Sequence, residues 1–171
     1  MTDAEAVAWV TNRLPADLFD ADAGDVTVTA DKDEVLVIGH LAADGLPEEG
    51  REREAAAEAA IDAFRSASRE QRVLFARQVE RRTGRKVSWG ARCGGHGLLF
   101  THLTVPTMTR LRLPEREVLD TLVAAGIARS RSDALSWCVK HVRTTQQEWL
   151  EELRGAFDAV AEVAARGPKT P

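Results

Sequence analysis

The stretch TMTRLRLPEREVLDTLVAAGIARSRSDALSWCVKHV, residues 107–142, decides how this chain is read. Its first seven residues alternate in character, which is strand patterning. A period of two puts Thr109, Leu111 and Leu113 on one face and Met108, Arg110 and Arg112 on the other. Pro114 stops the strand. From Glu115 to Ala125, Val118, Leu119, Leu122 and Val123 recur at helical spacing, and Gly126 terminates the helix. Ser130 and Asp133 then have the spacing of a capping box, since aspartate can reach back much as glutamate does. Leu135, Cys138, Val139 and Val142 line one face of the helix that follows.

A lone seven-residue strand can neither pair its edges nor bury its apolar side. The simplest partner is the same strand from a second copy of the chain. Such a ribbon presents Arg110 and Arg112 twice over on its outer face. A two-stranded ribbon fits the major groove of DNA, where arginine bridges O6 and N7 of guanine. Met108 on the same face can touch a thymine methyl or simply pack. The start of the second helix offers backbone N–H groups at Arg131 and Ser132 beside Ser130, an arrangement suited to a phosphate oxygen. The same Arg-x-Arg pattern also suits a solvated edge strand kept from aggregating.

The order strand, proline, helix, glycine turn, capped helix resembles the ribbon-helix-helix family, the group of the Arc and methionine repressors. The residues that carry the likeness are Thr109 to Pro114, Glu117 to Asp120, Gly126, and Ser130 to Leu135. The resemblance covers about residues 107–143. It implies a homodimer or higher homo-oligomer that reads double-stranded DNA through Met108, Arg110 and Arg112. It further implies phosphate contacts at Ser130, Arg131 and Ser132. The segment departs from simple family members in lying behind some hundred residues and in preceding another helix.

Outward from this stretch, charge divides the chain. Residues 1–64 hold 16 acidic and 4 basic side chains, whereas residues 65–143 hold 16 basic and 6 acidic ones. A basic body suggests an anionic partner, although the two halves can also attract each other. Thr2 and Glu5 start a short helix. Val26–Thr29 and Glu34–Leu41 read as a hairpin around Asp31-Lys32-Asp33. Arg51–Ala67 and a segment from Ser68 to Gly84 read as helices. Lys86–Trp89 reads as a strand, Gly90 to Gly97 as a turn, and Leu98–Thr104 as the return strand. After the ribbon segment, Trp149, Leu153, Phe157, Val160 and Ala164 step by 4, 4, 3 and 4, one apolar stripe on a last helix.

Other chemistry finds thinner footing. Cys93, His96 and His102 lie close together, but a closed zinc site needs a fourth ligand, and Gly94-Gly95 reads more simply as a hairpin tip. Cys93 with His96 lacks a third group to orient a nucleophilic pair. The glycines match neither a dinucleotide nor a phosphate-loop spacing. Arg81, Arg85 and Lys86 offer a second phosphate-contacting surface, or serve only to complement a helix dipole. Trp89 suits base stacking or a hairpin core.

The expected fold is α+β. A small α+β domain spans 1–105, a ribbon-helix-helix unit 106–143, a helix 144–166 and a disordered tail 167–171. Apolar runs are too short to span a membrane, and Asp3 and Glu5 argue against a secretory leader. Two cysteines make no disulfide framework, which points to a reducing cytoplasm, and the resemblance implies association with the nucleoid there. The expected function is a sequence-specific DNA-binding transcriptional regulator, neither an enzyme nor dependent on a cofactor or metal. The alternative is a protein-interaction module, an antitoxin or assembly factor, in which the same fold only dimerises.

Overall fold

The first helix is set by reciprocal capping. The Glu5 N–H donates to Thr2 Oγ1 at 3.2 Å, and the Thr2 N–H donates to Glu5 Oε2 at 2.8 Å, so α1 (Asp3–Thr11) starts on two satisfied donors. The computed structural model describes residues 1–101 and 103–167. It is mixed α+β and divides into two units, Met1–Pro106 and Thr107–Pro171.

The first unit is built on a four-stranded sheet of β1 (Thr27–Ala30), β2 (Glu34–His40), β3 (Lys86–Cys93) and β4 (His96–Leu99), in that spatial order. Asp31 turns the first hairpin: its Oδ1 accepts from the N–H groups of Asp33 and Glu34 at 2.8 and 2.7 Å. Strands β2 and β3 run parallel, with Val37 opposite Trp89. Parallel neighbours need a crossover, supplied here by α2 (Arg51–Ala67) and α3 (Arg69–Thr83). The core forms where these helices meet the sheet: Val35 and Val37 of β2, Ile61 of α2, Val79 of α3, and Ala91 of β3 are fully buried. Each such branched side chain contributes about 1.5–3 kcal/mol by leaving water.

The second hairpin differs from its sequence expectation. Glycines at 90, 94, 95 and 97 suggested one broad turn, yet β3 continues through Gly90 to Cys93 and only Gly94-Gly95 turns. Gly90 serves close packing instead, because a Cβ there would meet Leu99 Cδ2 at 2.7 Å and the Leu98 carbonyl at 3.1 Å. The return strand ends at Leu99 rather than Thr104. Trp89 is buried edge-on to Phe75 at 6.0 Å, which removes it as a base-stacking surface.

The second unit holds α4 (Leu113–Ala124), α5 (Arg131–Thr145) and α6 (Gln147–Arg166). Gly126, at φ +74°, lets the chain reverse after α4, and the N–H groups of Ile127 and Ala128 close back on the Leu122 carbonyl. Leu119, Ala128 and Ala134 form a small buried core, with Leu111, Leu122, Val123, Leu135 and Cys138 packed against it.

Residues 107–112 form no strand within this chain, and Leu113 is already the first residue of α4. A strand exists by its ladder, and among the described residues no segment pairs with this one. Pro114 therefore sits in the first helical turn, where its missing N–H costs nothing, instead of ending a strand. Of the expected tail, residues 168–171 lie outside the described residues. Among the described residues no helix is long and apolar enough to cross a membrane.

Candidate nucleic-acid interface

Leu111 fixes the orientation of the extended segment before α4. It packs against the Leu119–Ala128–Ala134 core, and alternation then turns Arg110 and Arg112 outward, both exposed. Neither arginine forms an ion pair among the described residues. Met108 is 94% exposed. The inner face is thinner than the alternation suggested, because Thr109 is exposed and Leu113 is 59% exposed.

At the start of α5, Ser130 is the cap: its Oγ accepts from the Asp133 N–H at 3.2 Å. Asp133 does not complete a capping box on Ser130. Its Oδ2 accepts instead from the Arg129 N–H at 2.9 Å, which holds the Asp133 carboxyl below the usual carboxylate range. The first-turn N–H groups of Arg131 and Ser132 have no carbonyl within the helix to meet. Ser132 is exposed.

Arg131 brings a feature that the spacing of residues did not disclose. Its Nε donates to Asp120 Oδ1 at 2.6 Å and its Nη2 to Asp120 Oδ2 at 2.7 Å. This fork raises the Arg131 pKa and lowers that of Asp120, in each case chiefly through the shared hydrogen bonds. A phosphate reaching Arg131 therefore competes with a carboxylate already in place. The signal lay in the sequence as an acid on α4 and a base on α5 across a tight glycine turn, but eleven residues of separation hide it from helical or strand periodicity.

The second basic surface is only partly available. Arg81 is exposed, and Lys86 is exposed but reaches Glu80 at 3.0 Å. Arg85 is a correction: its side chain is 7% exposed and its Nη2 donates to Asp3 Oδ1 at 2.6 Å and to the Met1 carbonyl at 3.3 Å. It ties α1 to the beginning of β3 and cannot face a phosphate backbone from that position.

Near the second hairpin, Cys93 is 1% exposed and its thiol donates to the Ala42 carbonyl at 3.3 Å. Burial pushes its pKa up, which disfavours the reactive thiolate. Cys93 faces His96 in the β3–β4 register, while His102 lies outside the described residues. Among the described residues no group of three or more His, Cys, Asp and Glu side chains is gathered as for a metal. A cavity of about 530 Å³ opens at the carboxyl ends of β2 and β3, with His40, Arg92, Asp20, Asp22 and Asp44 on its walls.

Two family models match the chain: the Rv1265-like protein N-terminal domain over residues 4–99 and the Mb1296 C-terminal domain over residues 112–164. The uncharacterized protein Mb1296 of Mycobacterium bovis is 51% identical over 166 residues, which are 97% of this chain and 71% of that protein. The uncharacterized protein Rv1265 of Mycobacterium tuberculosis matches with the same identity and coverage. No solved structure matches the chain.

Proposed function

This chain belongs to the Rv1265-like family, and we propose that it acts as a double-stranded-DNA-binding transcriptional regulator in homodimeric form, working at the nucleoid and without enzymatic chemistry. In this reading residues 107–113 pair with their copy into a two-stranded ribbon, and α4 and α5 complete a ribbon-helix-helix arrangement. Arg110 and Arg112 of both copies enter the major groove, with Met108 beside them. The N-terminus of α5, at Ser130, Arg131 and Ser132, meets a phosphate.

One observation carries the reading. Leu111 is held by the core while Arg110 and Arg112 on either side of it are exposed and matched by no carboxylate among the described residues. Two unneutralised guanidinium groups on one face of an extended segment suit an anionic partner, and their planar fork suits guanine. The segment's unpaired backbone suits addition of a second strand.

Gel-shift titration of the full chain, on its own promoter region and on bulk genomic DNA across a salt series, tests the proposal. Each phosphate contact adds about 0.9 to the slope of log affinity against log salt, so binding falls steeply as salt rises. Arg110→Ala with Arg112→Ala removes the preference for the target, each good guanine contact being worth roughly 1–3 kcal/mol, and leaves the oligomer intact. Unchanged target preference in the double variant overturns the ribbon reading. Absence of salt-sensitive DNA binding, together with recovery of one stoichiometric protein partner, favours an interaction module instead.

A further inference from the structure

The last helix carries a surface that the ribbon does not use. Trp149, Leu153, Phe157, Val160 and Val163 of α6 all fall on one side of the helix, and each is exposed. Phe157 is 69% and Val160 66% exposed. Glu148, Glu151, Arg154 and Asp158 occupy the other side, and Glu152 borders the stripe beside Val163. No described residue of α6 is buried. Within its unit the helix packs against α5, which it follows directly. The two aromatic rings leave on the order of 200 Å² in water. With the three aliphatic side chains the stripe approaches the ~500 Å² scale at which an exposed apolar patch marks an interface.

We infer that this stripe is a second self-association seam, occupied by α6 of another copy of this chain in antiparallel orientation. Three observations favour that occupant. Among the described residues, the buried core of the unit that bears the stripe is Leu119, Ala128 and Ala134, while Val118, Ile127, Val139 and Val142 on or between its other helices are exposed. A unit so short of core on every helix is completed by a copy of itself. The stripe is also self-complementary. Crossing two copies near Phe157 sets Leu153 opposite Val160 and large Trp149 opposite small Ala164. Finally, α6 is acidic in its first turn, at Glu148, and basic in its last, at Arg166. Antiparallel pairing brings each acidic end beside the basic end of its copy and opposes the two helix dipoles. The seam is separate from the ribbon and rests on the proposed function only in taking the same chain as partner.

Sedimentation equilibrium of the full chain without DNA tests the seam. Phe157→Glu with Val160→Glu disturbs no buried side chain, so the fold persists by circular dichroism and the mass falls about two-fold. A second measurement needs no charge in the stripe. In a Cys138→Ser background, Phe157→Cys gives a disulfide-linked dimer on mild oxidation, whereas Asp158→Cys on the opposite side does not. Unchanged mass in the glutamate variant overturns the seam, as does equal cross-linking at 157 and 158. Arg110→Ala with Arg112→Ala reports on the ribbon alone: lost DNA preference at unchanged mass is expected there. Retained preference in that variant strikes the DNA reading and leaves the seam standing.

Discussion

Arg131 donates to both carboxylate oxygens of Asp120, at 2.6 and 2.7 Å, and so joins the start of α5 to the middle of α4. The fork also neutralises the cation nearest to the expected phosphate. Asp120→Asn keeps the side-chain shape and removes the charge. The expected outcome is tighter DNA binding and a salt slope steeper by about one phosphate equivalent, read by fluorescence anisotropy over a salt series. Equal affinity and slope in the variant exclude a phosphate role for Arg131. The Asp120 pKa is lowered in the fold, so the pair's stabilisation is present above the unfolded carboxylate value of about 4 and is lost as pH falls through the lowered value. The unit's stability is thus expected to be insensitive to this pair between pH 5 and 8.

Phe19 lies flat over the backbone of β2. A Cβ built on Gly39 would sit 2.1 Å from Phe19 Cγ, a spacing that only displacement of the ring can relieve. Phe19 is itself buried and packs on Phe64 at 5.1 Å. Gly39→Ala is expected to destabilise the first unit by about 1–3 kcal/mol, measured by urea unfolding. Gly155→Ala in α6 meets nothing within 4 Å and lies inside a helix, so it raises helix stability by roughly 0.5–1 kcal/mol. Comparable unfolding of Gly39→Ala and the parent chain contradicts the packing described.

How far these features are legible in the sequence depends on whether their cause is local. The α1 cap, the Asp31 turn and the helical stripes of α2, α4 and α6 arise from residues within a few positions of each other, and periodicity reveals them. The course of β3 is not legible locally, because Gly90 resembles a turn residue whereas its role is set by Leu99 across the sheet. The Arg81–Arg85–Lys86 cluster read as one basic surface because charge alone does not tell a solvated arginine from one held by Asp3, 82 residues away. The segment 107–112 kept the expected alternation at Leu111 and its neighbours without becoming a strand in the single chain, since pairing is a property of two segments. Asp120 stands within residues 107–142, but its grip on Arg131 depends on how α4 and α5 pack across the Gly126 turn.

The Arg85–Asp3 pair makes an unequal prediction for its two members. Arg85 is buried and its Nη1 has no hydrogen-bond partner among the described residues, while Asp3 is largely exposed. Removing the carboxylate strands a buried cation. Removing the arginine leaves only a solvated acid. Asp3→Ala is therefore expected to cost about 1–3 kcal/mol, and Arg85→Met less, because the methionine keeps the apolar stem and discards an unsatisfied donor. Thermal unfolding of the two single variants and the double variant separates them. A larger loss for Arg85→Met than for Asp3→Ala contradicts the pairing.

The two cysteines provide a probe of the first unit's integrity. Cys93 is buried with its thiol on the Ala42 carbonyl and its pKa raised by that burial, while Cys138 is half-buried on α5. Since the thiolate is the reactive form, an aromatic disulfide reagent at pH 8 is expected to label one equivalent quickly, at Cys138. The second equivalent follows only at the rate of unfolding. The pH dependence has a definite sign. A thiol whose pKa is raised in the fold contributes stability that is complete below the unfolded value of about 8.5, and that stability declines as pH rises towards the folded value. Cys93→Ala removes this decline while leaving stability at pH 7 lower by the lost packing. Rapid labelling of two equivalents by the native chain, or an alkaline decline unchanged in Cys93→Ala, contradicts the buried thiol.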